Sequence, residues 1–381
     1  MSETKPKAGL EGIVAGDSAI AEVTQQGLRY RGYDIEDLAR NACFEEAAFL
    51  LLHGELPTKA QFAAFRSRVQ GSMALPPQVV RAIQDMPTSI PPMDMLRSAV
   101  SLLGHYDADA QDNSRPAMLR KSERLLGQLP VAVALWCQKT AKVASMPPDP
   151  NLTLGANLLN MMLGKKASAL AGKIMDGTLI LYAEHDFNAS TFTARGISST
   201  LSDMHSSVTG AIGALKGPLH GGANEAAMNQ FLEIDKTGNA EKWFRDLQDH
   251  NVKNPNNKKL IMGFGHRVYK NGDHRAALLR EWSIELTKET GQTKWIEMAD
   301  ALQALMFKEK NIHPNLDYPA AHAYYQMGIP IDLFTPIFVC SRITGWCAHI
   351  MEQLEHNRII RPLSEYVGPA LRKVVPMAQR G

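Results

Sequence analysis

Phe44-Glu45-Glu46-Ala47-Ala48-Phe49-Leu50-Leu51-Leu52 is the stretch that decides the fold class. It contains no Gly, Pro or β-branched residue, and Glu, Ala and Leu are strong helix formers. It therefore reads as a buried helix stopping near His53-Gly54. Just downstream, Pro57-Thr58 opens another helix, with Thr58 as cap for Lys59 to Val69. Pro76-Pro77 and Pro91-Pro92 mark two more starts, because a first-turn proline gives up an N–H that has no helical partner. Helical periodicity continues over 116–143, 166–184, 191–215, 224–236, 275–290, 296–310 and 333–356. Strand signals are short and confined to the N-terminal part, at Gly12-Ile13-Val14 and Leu28-Arg29-Tyr30-Arg31-Gly32. The expectation is an all-α protein with minor β near the N-terminus. So little strand excludes a doubly wound nucleotide fold, and no Gly-x-x-x-x-Gly-Lys-Ser/Thr loop occurs.

The chain has 381 residues, 45% hydrophobic and 21% charged, a globular composition long enough for two domains. Its formal net charge of +2 supplies no global field for nucleic acid or a membrane surface. Met1-Ser2-Glu3-Thr4-Lys5-Pro6-Lys7 has the character of neither a signal nor a transit peptide. No uncharged apolar run approaches the roughly 18 residues of a membrane helix. Cys43, Cys137, Cys340 and Cys347 form no Cys-x-x-Cys pair and read as reduced core thiols, which points to the cytoplasm.

Three separated segments each carry one proton-handling side chain among glycines and prolines. They are Gly217-Pro218-Leu219-His220-Gly221-Gly222-Ala223-Asn224-Glu225, Gly263-Phe264-Gly265-His266-Arg267-Val268-Tyr269-Lys270 and Asn315-Leu316-Asp317-Tyr318-Pro319. Catalytic groups concentrate on loops, and two imidazoles with a carboxylate can abstract one proton while donating another. His220 precedes a helix expected from Asn224, whose positive end disfavours an imidazolium and leaves a neutral donor. A capping or packing histidine is the plain alternative; the flanking Gly-Pro and Gly-Gly weigh against it, since glycine admits close approach. His266 sits in a basic stretch, where Lys258, Lys259, Arg267, Lys270 and Arg275 face the single acid Asp273. That bias suits an anionic ligand, with a solvated loop as the alternative. Asp317 is expected in a turn or extended segment, because Pro319 biases Tyr318 away from helical angles.

Arg342 lies in an otherwise apolar helix, Phe334 to Ile350. A buried guanidinium needs a partner, either a ligand carboxylate or a distant acid. Arg361, in Ile360-Arg361-Pro362, is a weaker signal of the same kind. His185 follows the apolar stretch Leu179 to Glu184, as a ligand contact or a helix C-terminal cap. A metal site would compete for these groups. No His-x-x-x-His pair occurs, no Cys joins them, and the arginines repel a cation, so no metal is expected.

Together these segments resemble the citrate synthase family. Gly-Pro-Leu-His-Gly-Gly-Ala-Asn-Glu at 217–225, Gly-Phe-Gly-His-Arg-Val-Tyr at 263–269 and Asn-Leu-Asp at 315–317 look like its three catalytic motifs, in order and spacing. Ala183-Glu184-His185, Asn188-Ala189-Ser190-Thr191-Phe192 and Tyr30-Arg31-Gly32-Tyr33 are also similar, and the likeness runs from about Gly9 to Gly368. The resemblance implies a large helical domain, 1–221 with 331–381, around a smaller inserted helical domain, 222–330, that closes over substrate. It implies a homodimer or a multiple of dimers. Asp317 would take a proton from the acyl-CoA thioester, His220 would stabilise the enolate, and His266 would polarise and protonate the ketone of oxaloacetate. His185, Arg275, Arg342 and Arg361 would hold oxaloacetate, with Arg361 crossing to the partner's site. Leu260, Ile261, Met262, Gly263 and Phe264 with the basic loop would face CoA, and Lys59 would contact a CoA phosphate. No cofactor is implied beyond the acyl-CoA substrate.

Two departures bear on that substrate. Tyr318-Pro319-Ala320 stands where many citrate synthases have Phe-Tyr-Ser, and Asp273-His274-Arg275 where Asp-Pro-Arg is usual. The first change, with Ile360-Arg361-Pro362 and Tyr366-Val367-Gly368-Pro369, looks like 2-methylcitrate synthases and bifunctional bacterial enzymes. Acetyl-CoA is the leading expectation, propionyl-CoA or both the alternative. A helical interaction protein without chemistry is the remote one.

Overall fold

The computed structural model describes residues 8–10, 12–266, 268, 269 and 271–380. Met1 to Lys7 and, in the basic stretch, Arg267 and Lys270 lie outside the described residues. An antiparallel sheet of three strands, β1 (Ala21–Thr24), β2 (Gly27–Tyr30) and β3 (Tyr33–Asp34), runs in the order β1-β2-β3. Ala21 pairs with Tyr30, and Arg29 with Asp34. The expected strand at Gly12-Ile13-Val14 is instead irregular. Ile13 and Val14 are exposed, and no described strand pairs with them. The Leu28 stretch is a strand, ended at Tyr30 because Arg31 (φ 50°) and Gly32 (φ 88°) turn the chain.

Sixteen α-helices follow among the described residues. They are α1 (Ile35–Asn41), α2 (Phe44–His53), α3 (Lys59–Gly71), α4 (Pro77–Asp85), α5 (Pro92–Leu103), α6 (Arg115–Thr140), α7 (Leu154–Leu163) and α8 (Ala169–Tyr182). Then come α9 (Ala189–Ser198), α10 (Met204–Leu215), α11 (Ala223–Thr237), α12 (Ala240–Lys253), α13 (His274–Thr290), α14 (Thr293–Lys310), α15 (Asp317–Gln326) and α16 (Phe334–Glu355). Helix α2 ends at His53 with Gly54 left-handed (φ 98°), and Pro77 and Pro92 occupy the first positions of α4 and α5. Thr58 and Gln61 cap α3 reciprocally, each side chain bonding the other's backbone N–H.

Two expectations fail here. The continuous helix over 191–215 is broken into α9 and α10, because Leu201 turns left-handed (φ 66°) and the Asp203 carboxylate caps Ser206 N–H at 2.9 Å. Asp317 lies in no turn: it is the first residue of α15. Leu316 already has helical angles (φ −56°, ψ −34°), and Pro319 falls in the first turn, where no N–H is needed.

Helix α16 is buried along most of its length and packs on α2, α5, α6, α8, α9 and α10. Helices α11 to α15 pack chiefly on one another. They meet the first group where α13 touches α1 and α8 and where α11 touches α16. Gly345 lets α16 pack tightly on the end of α8, since a Cβ there would collide with the Ala183 carbonyl and the Glu184 carboxylate. Arg342, one turn earlier on α16, is thereby brought to the end of α8. The four cysteines are free; Cys137, Cys340 and Cys347 are buried and Cys43 half-buried. No helix among the described residues is long and apolar enough to cross a membrane.

Candidate active site

Helix α8 stops at Tyr182, and Tyr30 pins the turn that follows. Its buried hydroxyl accepts from Glu184 N–H and faces the carbonyls of Ile180 and Glu184, all at 3.0 Å. Asn188 ends the turn by capping α9 through Thr191 N–H at 3.1 Å. His185 is thus presented inward from a turn fixed at both ends, and its Nε2 lies 3.1 Å from the Tyr269 hydroxyl.

The turn between α10 and α11 carries His220. Gly221 N–H bonds the Leu215 carbonyl at 2.9 Å, and a Cβ on Gly221 would sit 2.6 Å from that oxygen, so the turn requires glycine. The Ser190 backbone N–H points at His220 Nε2 at 3.3 Å, and Ser190 Oγ lies 2.9 Å away. A backbone N–H only donates, so Nε2 is the acceptor and Nδ1 carries the proton. Burial, then the charge of Arg342, lowers the His220 pKa to about 4. The ring is neutral at physiological pH, as expected from the sequence, but the leading cause is burial rather than the α11 terminus.

The loop before α13 is tied to the start of α15. Gly265 N–H bonds the His313 carbonyl, Asn315 N–H bonds the Gly263 carbonyl, and Asn315 Nδ2 bonds the Gly265 carbonyl, each at 2.9 Å. His266 Nδ1 accepts from Val268 N–H at 3.1 Å and Tyr269 N–H at 3.3 Å, which leaves Nε2 as the protonated nitrogen of the neutral ring. Its ring stacks on Tyr269 at 4.6 Å and lies 5.0 Å from His185. Asp273 joins the two helix starts: it pairs with Arg275 and accepts Leu316 N–H at 3.1 Å. Asp317 accepts the Tyr182 hydroxyl at 2.7 Å. Burial pushes Asp317 up to about 6, against the Tyr182 hydrogen bond and the charges of Arg275 and Arg342. A base poised there is mostly ionised at neutral pH yet able to hold a proton.

All three candidates line one cavity of about 600 Å³, together with His185, Arg275 and Arg342. Arg342 is buried. Its Nε donates to the Tyr182 carbonyl at 2.7 Å and its guanidinium lies 4.6 Å from the Phe338 ring, but it makes no ion pair with a described residue. Buried Glu184 acts on it only through space, beyond ion-pair distance, and the cation lines the cavity. Arg275 differs, since Asp273 grips it through Nε (3.0 Å) and a terminal nitrogen (2.9 Å). Burial, then the charges of Arg275 and Arg342, drive the His185 pKa well below the usual histidine range, so it too is neutral. Two cations, two oriented N–H donors and one carboxylate make a site able to hold a small dianion and move a proton beside it.

Other predicted residues stand outside this cavity. Gly263 (φ 80°) packs so closely on Tyr318 that a Cβ would come within 2.9 Å, and the Phe264 ring lies 4.5 Å from that of Tyr318. Leu260, Ile261 and Met262 lead towards Gly265, which does line the cavity; Leu260 is exposed and the other two half-buried. Lys59, at the start of α3, is exposed and lines no part of it. Arg361 is exposed in the C-terminal tail, also outside it. Tyr182, Ser190, Asp273 and Asn315 were not anticipated. Ser190, Asp273 and Asn315 lay in quoted stretches without a role of their own, and Tyr182 orients the site through contacts that no local pattern announces.

A family model for citrate synthase, C-terminal domain, matches residues 9–363. The chain is 46% identical to a 2-methylcitrate synthase of Shewanella oneidensis, covering 98% of each chain. It is 42% identical to citrate synthase 2 of Bacillus subtilis, again covering 98% of each. Citrate synthase from Thermoplasma acidophilum, solved as a ternary complex with carboxymethyl coenzyme A and oxaloacetate, superimposes with a TM-score of 0.89 at 35% identity, covering 98% of each chain.

Proposed function

The chain belongs to the citrate synthase family and is a transferase of that type, and on that footing we propose that it condenses acetyl-CoA with oxaloacetate and water to give citrate and CoA. Asp317 takes a proton from the methyl carbon of the thioester. The Nδ1–H of His220 bonds the thioester oxygen and stabilises the enolate. That carbon attacks the ketone of oxaloacetate, whose oxygen is polarised and protonated from Nε2 of His266. Water then hydrolyses the citryl thioester and releases CoA. Arg342, Arg275 and His185 hold the two carboxylates. The observation that carries this reading is Arg342, a buried cation lining the cavity that makes no direct ion pair with a described residue. No metal or prosthetic group enters the scheme.

In this scheme residues 222–330 form a smaller domain that closes on 1–221 and 331–381, and Leu260 to Phe264 contact CoA. Arg361 completes the oxaloacetate site of a second copy. The tail that carries it supports a dimer: Leu363, Tyr366, Val367, Leu371 and Val374 are 77–103% exposed, an apolar arm with little cover from its own chain.

A second reading, condensation of propionyl-CoA to 2-methylcitrate, is favoured by the relative from Shewanella oneidensis and by Tyr318-Pro319-Ala320. One methylene changes pocket binding by only about 1–3 kcal/mol, so one site can serve both substrates. The test is kcat/KM for acetyl-CoA and propionyl-CoA with oxaloacetate, with the products identified by mass spectrometry. Citrate formed at the higher kcat/KM supports the first reading, and a propionyl-CoA preference replaces it with the second.

A further inference from the structure

Tyr182 is the last residue of α8, in an apolar stretch that gives no sign of function. Its hydroxyl donates to Oδ1 of Asp317 at 2.7 Å, and its carbonyl accepts from Nε of Arg342 at 2.7 Å. Its ring lies 4.6 Å from that of Phe338, and Phe338 carries the Arg342 guanidinium at the same 4.6 Å. One residue therefore touches both the proposed base and the arginine proposed to hold oxaloacetate.

We infer that Tyr182 is a positioning residue for proton abstraction: its hydroxyl fixes the Asp317 carboxylate in one rotamer and stabilises its charged form, while its carbonyl fixes Arg342. The inference rests on the reading of Asp317 as the base. With Oδ1 taken by the phenol, Oδ2 is the oxygen left for the acyl carbon. The C–H bond breaks, its proton goes to Oδ2, and its electron pair becomes the enolate. The phenol keeps its own proton, because burial and the Asp317 charge hold its pKa well above the ordinary value.

Several other groups face Asp317. Asp273 and Arg275 act from the head of α13 and Arg342 from α16, each through space. Tyr324 lies on the same helix, and His185, His220 and His266 line the same cavity. The Tyr182 bond opposes the effect of burial, so removing it moves the Asp317 pKa further up from about 6.

Tyr182→Phe keeps the ring and the backbone carbonyl and removes only the hydroxyl. The measurements are kcat, KM for oxaloacetate, oxaloacetate binding by calorimetry, and the pH profile of kcat/KM for acyl-CoA from about pH 5 to 9. The expected result is a kcat lowered about tenfold and an acid limb displaced by about one unit to higher pH, the scale of a lost hydrogen bond to a charged group. Oxaloacetate KM stays within about twofold, because the Arg342 contact is to backbone. An unmoved acid limb overturns the inference, whatever happens to the rate. Loss of oxaloacetate binding also overturns it, by making Tyr182 a residue of the fold. Asp317→Asn is measured alongside: if it retains the wild-type rate, the base assignment itself fails. If it is inactive while the Tyr182→Phe profile stays in place, only the role of Tyr182 fails.

Discussion

The backbone N–H of Ser190 points at Nε2 of His220 across 3.3 Å, which commits the ring's single proton to Nδ1. A neutral imidazole is the right donor for an enolate, because it stabilises the charge without handing over a full proton. His220→Ala should lower kcat by about 10²–10³, the scale of losing one oxyanion donor. Oxaloacetate KM should stay within about twofold, since Arg342 and His185 are untouched. A large rise in that KM with kcat preserved would move His220 from the acyl side to the oxaloacetate side.

Arg342→Leu should raise the KM for oxaloacetate strongly. Truncating one partner of a buried charge pair costs about 2–5 kcal/mol, roughly thirtyfold or more in affinity. Arg275→Leu should do more damage to folding, because it also strands the buried carboxylate of Asp273. Steady-state kinetics on both variants, with melting curves, separates the two. An unchanged oxaloacetate KM for Arg342→Leu removes that residue from the site.

Stability should carry its own pH signature. Glu45 and Asp176 are both buried, and they accept backbone N–H groups at the starts of α2 and α7: Asp176 from Phe44 (2.8 Å) and Gly155 (3.1 Å), Glu45 from Leu154 (3.0 Å). Burial raises both pKa values, and the charge of Asp176 adds to that of burial at Glu45. Because the folded pKa lies above the unfolded one, the folded state binds more protons above the usual carboxylate range of about 4. Stability from this pair therefore falls as pH rises through the folded pKa values. Glu45→Gln keeps an acceptor and removes the charge, so its melting temperature relative to wild type should be higher at pH 8 than at pH 5. Each kcal/mol recovered amounts to roughly 2 °C. An equal difference at both pH values contradicts the raised pKa of Glu45.

The three proton-handling residues are legible in the sequence because glycine and proline mark their segments. Arg342 is legible because a cation in an apolar helix is conspicuous. Tyr182 is not, because its partner Asp317 is 135 positions away, and Asp273 in its basic stretch reads only as a lone counterweight. Helix α15 was hidden by Pro319, which biases against helix everywhere except the first turn, where it stands. The break between α9 and α10 was hidden because apolar periodicity runs through Leu201, and only its left-handed backbone and the adjacent Asp203 cap of α10 mark it. The contacts of Tyr182 with Asp317 and of Asp273 with Leu316 join distant segments, and local pattern carries no record of them.

The central claim is that Asp317 abstracts the acyl proton beside a separately held oxaloacetate. It is tested most directly by thiol release from acetyl-CoA and from propionyl-CoA with oxaloacetate, for the wild type and for Asp317→Asn, with oxaloacetate binding measured on both. The account predicts CoA release by the wild type, release lowered by several orders of magnitude in Asp317→Asn, and oxaloacetate binding retained by the folded variant. No thiol from the wild type with either acyl-CoA would contradict the activity, and Asp317→Asn releasing CoA at the wild-type rate would contradict the mechanism.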